Sequence, residues 1–129
     1  MNSGNDLRIG NWVEDNMYGC YCKILTLTPS IKVERYHGII YEPSISQLLC
    51  LRIIRENLTL GQFNPNSNNI YERTFNNIHL AVMPMQHGRF DWWVNGELIK
   101  GIRCIHEWQN AFEDATGSPL LLNLVGAKQ

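Results

Sequence analysis

Residues 90–101 read FDWWVNGELIKG, and the Asn95-Gly96 pair at their centre decides how this part of the chain is built. Both residues tolerate a positive φ, which a two-residue type I′ turn needs at both of its positions, and the runs on either side are β-prone. The stretch therefore reads as a hairpin. Trp92 and Trp93 are adjacent in its first arm, so one ring faces the core and the other faces outward. An outward Trp makes a contact surface unless a helix covers it, because a rigid ring buries much area at small entropic cost.

Working upstream, IYERTF (70–75) alternates Tyr71, Arg73 and Phe75 against Ile70, Glu72 and Thr74. Asn76-Asn77 joins it to IHLAVM by a tight turn, and MPMQHGR carries the next one. Strands in hairpins are thus expected over 70–99. Downstream, Ile102, Ile105, Trp108, Phe112 and Ala115 recur at spacings of three, three, four and three, the stripe of an amphipathic helix over about 102–116. Gly117 suits a left-handed cap and Pro119 prevents continuation. The tail at 120–125, LLLNLV, is apolar: a last strand, or an arm packed on the body or on a second subunit.

The first half has the same texture. LRIGNWVED bends at Gly10-Asn11, CYCKILTLT alternates, Pro29-Ser30 makes a turn, and a short apolar run follows at 39–41. This gives a β meander over 7–41. In SISQLLCLRIIRENL the period changes: Leu48, Leu51, Ile54 and Leu58 fall on one helical face, Ser44 and Gln47 have capping-box spacing, and Gly61 ends the element. A helix is expected at about 45–58. The fold class is therefore α+β: an antiparallel, β-rich, partly closed sheet of SH3-like barrel type with two helices. The chain of 129 residues is expected to form a single domain, 1–129.

Composition excludes several functions. The net charge is −1, which provides no basic excess to neutralise the backbone of a long nucleic acid. No apolar run approaches membrane-spanning length. The N-terminus lacks the basic-then-apolar pattern of a signal peptide, so a cytoplasmic location is expected. In that reducing setting Cys20, Cys22, Cys50 and Cys104 are expected to be free thiols packed as small apolar groups.

The chemistry-bearing residues do not assemble into a known catalytic pattern. His106-Glu107-x-x-Asn110 has the outline of a zinc-protease helix, but the second ligand position carries an amide in place of imidazole. Cys104 and His106 are two apart on a helix and diverge. The glycines form no phosphate-binding loop. No catalytic residue, metal ligand or cofactor is assigned. The residues best suited to hold a ligand or partner are the rings of Trp12 and Trp92, the donors Arg8 and Arg73, and the helix flank His106, Gln109 and Asn110.

Both ends of the chain resemble a family of short proteins from phages and mobile elements of Bacteroides-type bacteria. Leu7, Arg8, Ile9, Gly10, Asn11 and Val13 match its opening "lRIGNyV" strand. Ile102, Ile105, His106, Gln109, Asn110, Thr116, Gly117 and Leu120 match its closing helix, "iKYVHQLQNLYxALTGeeL", with Arg103 in the basic position. YEPSISQLLCL is similar to a middle helix of that family. The chain departs from the pattern at Cys104, Glu107, Trp108 and Asp114. The resemblance implies a small phage-borne protein acting in the cytoplasm of a bacterial host, and it carries over no enzymatic activity. The expected function is non-enzymatic binding: an anti-defence factor that engages a host protein or sequesters a small nucleotide-type ligand, with homo-oligomerisation through the apolar tail. Two other readings stand beside it, a small hydrolase whose scattered His and Glu residues converge, and a virion structural or assembly protein.

Overall fold

The computed structural model describes residues 7–124, apart from the His37 side chain. Val125, the end of the expected apolar tail, lies outside them. The chain divides into two compact units. One runs through Leu51 and takes in the segment from Asn123; the other is Arg52–Leu122. Each has its own five-stranded antiparallel sheet.

In the first unit the strands are β1 (Trp12–Asp15), β2 (Cys20–Thr26), β3 (Lys32–Arg35), β4 (Ile39–Tyr41) and β5 (Leu48–Leu49), in the order β4-β3-β2-β1-β5. The period of two in CYCKILT does what alternation requires: Cys20, Cys22 and Ile24 are buried, and the residues between them are not. Cys22 and Ile24 join Leu7, Val13, Val33 and Leu48 in one apolar cluster, edged by Leu27, Ile31 and Tyr41. The bend expected at Gly10-Asn11 is present. Gly10 has φ +92°, and the Ile24 N–H donates to the Asn11 carbonyl at 2.9 Å.

The helix expected at 45–58 does not form as such. Ile45–Gln47 is a single 3-10 turn, Leu48–Leu49 pairs with β1, and helix α1 is only Arg55–Leu60. The Ser44–Gln47 contact survives as a cap on that short turn, the Ser44 N–H donating to Gln47 Oε1 at 3.0 Å. Short apolar runs fit strand and helix alike, and here alternation wins. Leu51 and Ile53 are buried, whereas Arg52 and Ile54 are exposed, although the helical stripe would place Ile54 inside.

The second unit runs α1, β6 (Asn64–Pro65), β7 (Tyr71–Phe75), β8 (Ile78–Pro84), β9 (Phe90–Val94), β10 (Glu97–Ile102) and helix α2 (Ile105–Thr116), with sheet order β10-β9-β8-β7-β6. Asn76-Asn77 and Asn95-Gly96 make its two-residue turns, and all four residues have positive φ. The helix stripe packs on aromatic rings: Phe63 lies 5.5 Å from Trp108 and 6.4 Å from Phe112, and Phe75 lies 5.3 Å from Phe112, by ring centroids. Gly61 is required at the end of α1 by close approach, because an added Cβ would sit 2.6 Å from the Trp108 ring. At the far end of α2, Gly117 adopts the left-handed cap, with φ 75°. The helix starts later than expected, because Ile102 is the last residue of β10.

The α+β class is what the sequence indicated. The barrel closure is not: both sheets are open, with β4 and β5 at the edges of one and β10 and β6 at the edges of the other. Closure needs the two edge strands of a sheet to pair with each other, and neither β4 with β5 nor β10 with β6 does so.

Candidate anion-binding cleft

The β8–β9 connection folds back tightly on itself. The Met85 N–H donates to the Arg89 carbonyl at 2.8 Å, and the Arg89 N–H to the Gln86 carbonyl at 3.3 Å. Between them His87 and Gly88 both take left-handed backbone, at φ 60° and 75°. For a residue with a Cβ this costs on the order of 1 kcal/mol, and such strain concentrates at functional loops. Pro84, Met85, Gln86, His87 and Arg89 of this loop, with Arg103 from the β10–α2 junction, line a cleft of about 410 Å³. That volume is in the range of small-molecule sites.

Two arginines reach the cleft, and each is seated. The methylene stem of Arg89 lies across Gly101, where an added Cβ would meet its Cδ at 3.1 Å. Its Nε is 3.5 Å from Asp91 Oδ1. Arg103 donates from Nη1 to the His87 carbonyl at 2.6 Å. The junction below is pinned by Glu107, whose Oε1 accepts from the backbone N–H of Arg103 and of Cys104, at 2.9 Å each. Most of the five N–H donors of each guanidinium are uncommitted among the described residues. A planar fork of charged donors suits the oxygens of a phosphate or carboxylate.

The residues singled out from sequence lie elsewhere. Arg8 and Trp12 belong to the first unit; Arg73, Trp92, His106, Gln109 and Asn110 belong to the second. Trp12 is buried, and so is Trp92, whose ring is 6.0 Å from Phe63. Trp93 is the half-buried member of the pair. The Arg8 N–H donates to Asn11 Oδ1 at 2.7 Å, within the bend. Arg73 is committed to structure: Nη1 donates to the Gly61 carbonyl at 3.0 Å, and the guanidinium stacks 5.1 Å from the Phe75 and Phe112 rings. Its desolvation there lowers its pKa. The α2 flank of His106, Gln109 and Asn110 is buried rather than displayed. Sequence reasoning passed over Arg89 and Arg103. A faint signal existed, since the Asn95-Gly96 turn sets a hairpin register that brings residues near 89 and 103 together. The bulge between Leu98 and Lys100, which completes that register, has no sequence mark.

Two other polar clusters are built into the sheets. On the second, Glu72 accepts from Asn66 Nδ2 at 3.0 Å and lies 2.8 Å from His79 Nε2, and these two contacts hold its carboxyl below the usual range. On the first, the fully buried Asp15 accepts from the Tyr41 hydroxyl and, at 2.8 Å, from the Met17 N–H. Arg35 stacks over Tyr18 and Tyr41, at 4.7 and 5.6 Å. Burial, with smaller contributions from Cys20 and Asp15, pushes the Cys22 thiol from 9.0 up to about 12. Burial and then the bond to Asp15 raise the Tyr41 phenol as well. Both groups are neutral in the fold and ionise more readily in the unfolded chain. Their contribution to stability is therefore complete below about pH 9 and is lost as pH rises toward 12. The urea midpoint should fall over that window, and Cys22→Ala should flatten the fall. An unchanged slope in that variant would contradict the assignment.

Cys20 and Cys22 are free thiols, as expected, but Cys50 and Cys104 are disulfide-bonded, which corrects the expectation of four free thiols. Among the described residues no group of three or more His, Cys, Asp or Glu is placed to hold a metal ion, and no helix is long and apolar enough to cross a membrane. No protein-family model matches the chain, nor does any curated protein or solved structure.

Proposed function

We propose that the protein is a non-enzymatic binding module that takes an anionic, nucleotide-type ligand in the cleft between the β8–β9 loop and the β10–α2 junction. The observation that carries this reading is the convergence of Arg89 and Arg103, each held by its own seat, on one cleft of about 410 Å³. The exposed thioether of Met85 and the ring of Pro84 give the same cleft an apolar wall, the usual mixture in sites that bind an organic anion. The phage-borne, anti-defence role implied by the sequence resemblance fits a protein that sequesters such a signal in a host cell, and it remains part of this proposal.

Calorimetry with ADP-ribose and with 3′,5′-cyclic nucleotides tests it. A charge-assisted hydrogen bond contributes about 1.5–3 kcal/mol, so Arg89→Ala and Arg103→Ala should each weaken binding roughly tenfold to a hundredfold. Absence of heat with every member of the panel, or binding that neither substitution alters, would remove this reading.

A further inference from the structure

A third guanidinium stands at the same loop. Arg52 and Cys104 form an antiparallel bridge, and the Ile53 N–H donates to the Arg103 carbonyl at 2.8 Å. Residues 52–53 therefore run along the β10–α2 junction. The exposed Arg52 side chain extends to Gly88, where Nη1 would lie 3.4 Å from an added Cβ. Its guanidinium has no hydrogen-bond or ion-pair partner among the described residues. Three consecutive residues thus each bring a guanidinium: Arg103 on the His87 carbonyl, Arg52 beside Gly88, and Arg89 itself. The stretch spans about 7 Å of chain.

Among the described residues, Asp91 and Glu107 are the carboxylates bonded at this loop and junction. Asp91 sits against Arg89, and Glu107 is held by two backbone N–H groups at the start of α2. The local surplus is positive, and it is spread along the loop rather than gathered at one point. Arg52 does not line the cleft that Arg89 and Arg103 share, so a single phosphate or carboxylate there engages those two guanidiniums and leaves Arg52 for a second, linked anionic group.

We infer that the ligand of this cleft carries a diphosphate, and that Arg52 binds its second phosphoryl group. This rests on the anion-binding reading above and narrows it to a class. Counterions released from a third cation would add to the salt dependence of binding as well as to affinity.

The test is calorimetry at low ionic strength with inorganic phosphate and with pyrophosphate, on the full chain and its Arg52→Ala, Arg52→Gln and Arg89→Ala variants. Arg52 is exposed, and circular dichroism is the check that each variant folds. Pyrophosphate should bind the unsubstituted protein at least tenfold more tightly than phosphate. Both Arg52 substitutions should remove that margin while leaving phosphate affinity within about twofold, whereas Arg89→Ala should weaken both anions. Equal affinity for the two anions, or an Arg52 substitution that weakens both alike, overturns the diphosphate assignment and leaves the anion site standing. If neither anion binds the unsubstituted protein, both readings fall.

Discussion

Phe112→Ala should lower the stability of the second unit by about 3–5 kcal/mol, the usual cost of truncating a buried aromatic ring. Phe112 is fully buried on α2, and its ring is where the helix meets the rest of this unit. Phe75 comes from β7, Phe63 from the segment after α1, and the Arg73 guanidinium lies 5.1 Å above it. Removing it opens a cavity and also strips one of the two rings that shelter Arg73. That charge was desolvated against the pair, so the loss exceeds a transfer term alone. Urea unfolding followed by Trp fluorescence measures the effect, with Leu121→Ala, at a residue 80% exposed, as a control expected to change little. A Phe112→Ala midpoint matching that control would mean that this ring does not hold α2 in place.

The elements legible from sequence are those in which a local rule and the tertiary environment agree. Asn95-Gly96 demanded two positive φ values and has them, so β9 and β10 were readable. The α2 stripe was readable because Ile105, Trp108 and Phe112 all face the same aromatic core. The 45–58 segment failed for the opposite reason. Its leucines fit a helical face, but Leu48 and Leu49 pair with β1, and no local signal distinguishes an apolar run that caps a sheet from one that coils. Division into two units was equally invisible, because no linker composition marks residue 51 or 52.

The site was less legible than the fold. Buried and exposed polar residues look alike in a sequence: His106, Gln109 and Asn110 offered donors and acceptors at helical spacing, and all three are covered. Arg73 looked available and is held by two rings and a carbonyl. Arg52, Arg89 and Arg103 are scattered over 52 positions of sequence. They meet because a β-bulge sets the β9–β10 register and because the segment at Arg52 bridges to Cys104. Convergence of that kind is a property of pairing, and pairing partners separated by a loop of unknown path carry no periodic trace.

Asp15→Ala should cost the first unit about 2–5 kcal/mol, although it removes a charge from an apolar interior. Taken alone, the desolvation of a carboxylate argues that its removal would help. The neighbours decide otherwise. Asp15 accepts from the Tyr41 hydroxyl through Oδ2 and from the Met17 N–H through Oδ1, and without it both donors lose their partner. Both bonds are part-buried, and a hydrogen bond to a carboxylate contributes about 1.5–3 kcal/mol. The same residue also shapes the β1–β2 turn, where the Gly19 N–H donates to the Asp15 carbonyl at 2.7 Å, so losing the Met17 bond loosens that turn too. Tyr41→Phe is the informative companion. It leaves the turn intact and deprives the carboxylate of one donor, so it should be destabilising by a smaller amount. Combining the two substitutions should cost less than their sum, since one bond cannot be lost twice. Equilibrium urea unfolding of the two single variants and the double variant completes the cycle. Strict additivity would show that Asp15 and Tyr41 act independently, and would remove this bond from the account of what holds the first sheet together.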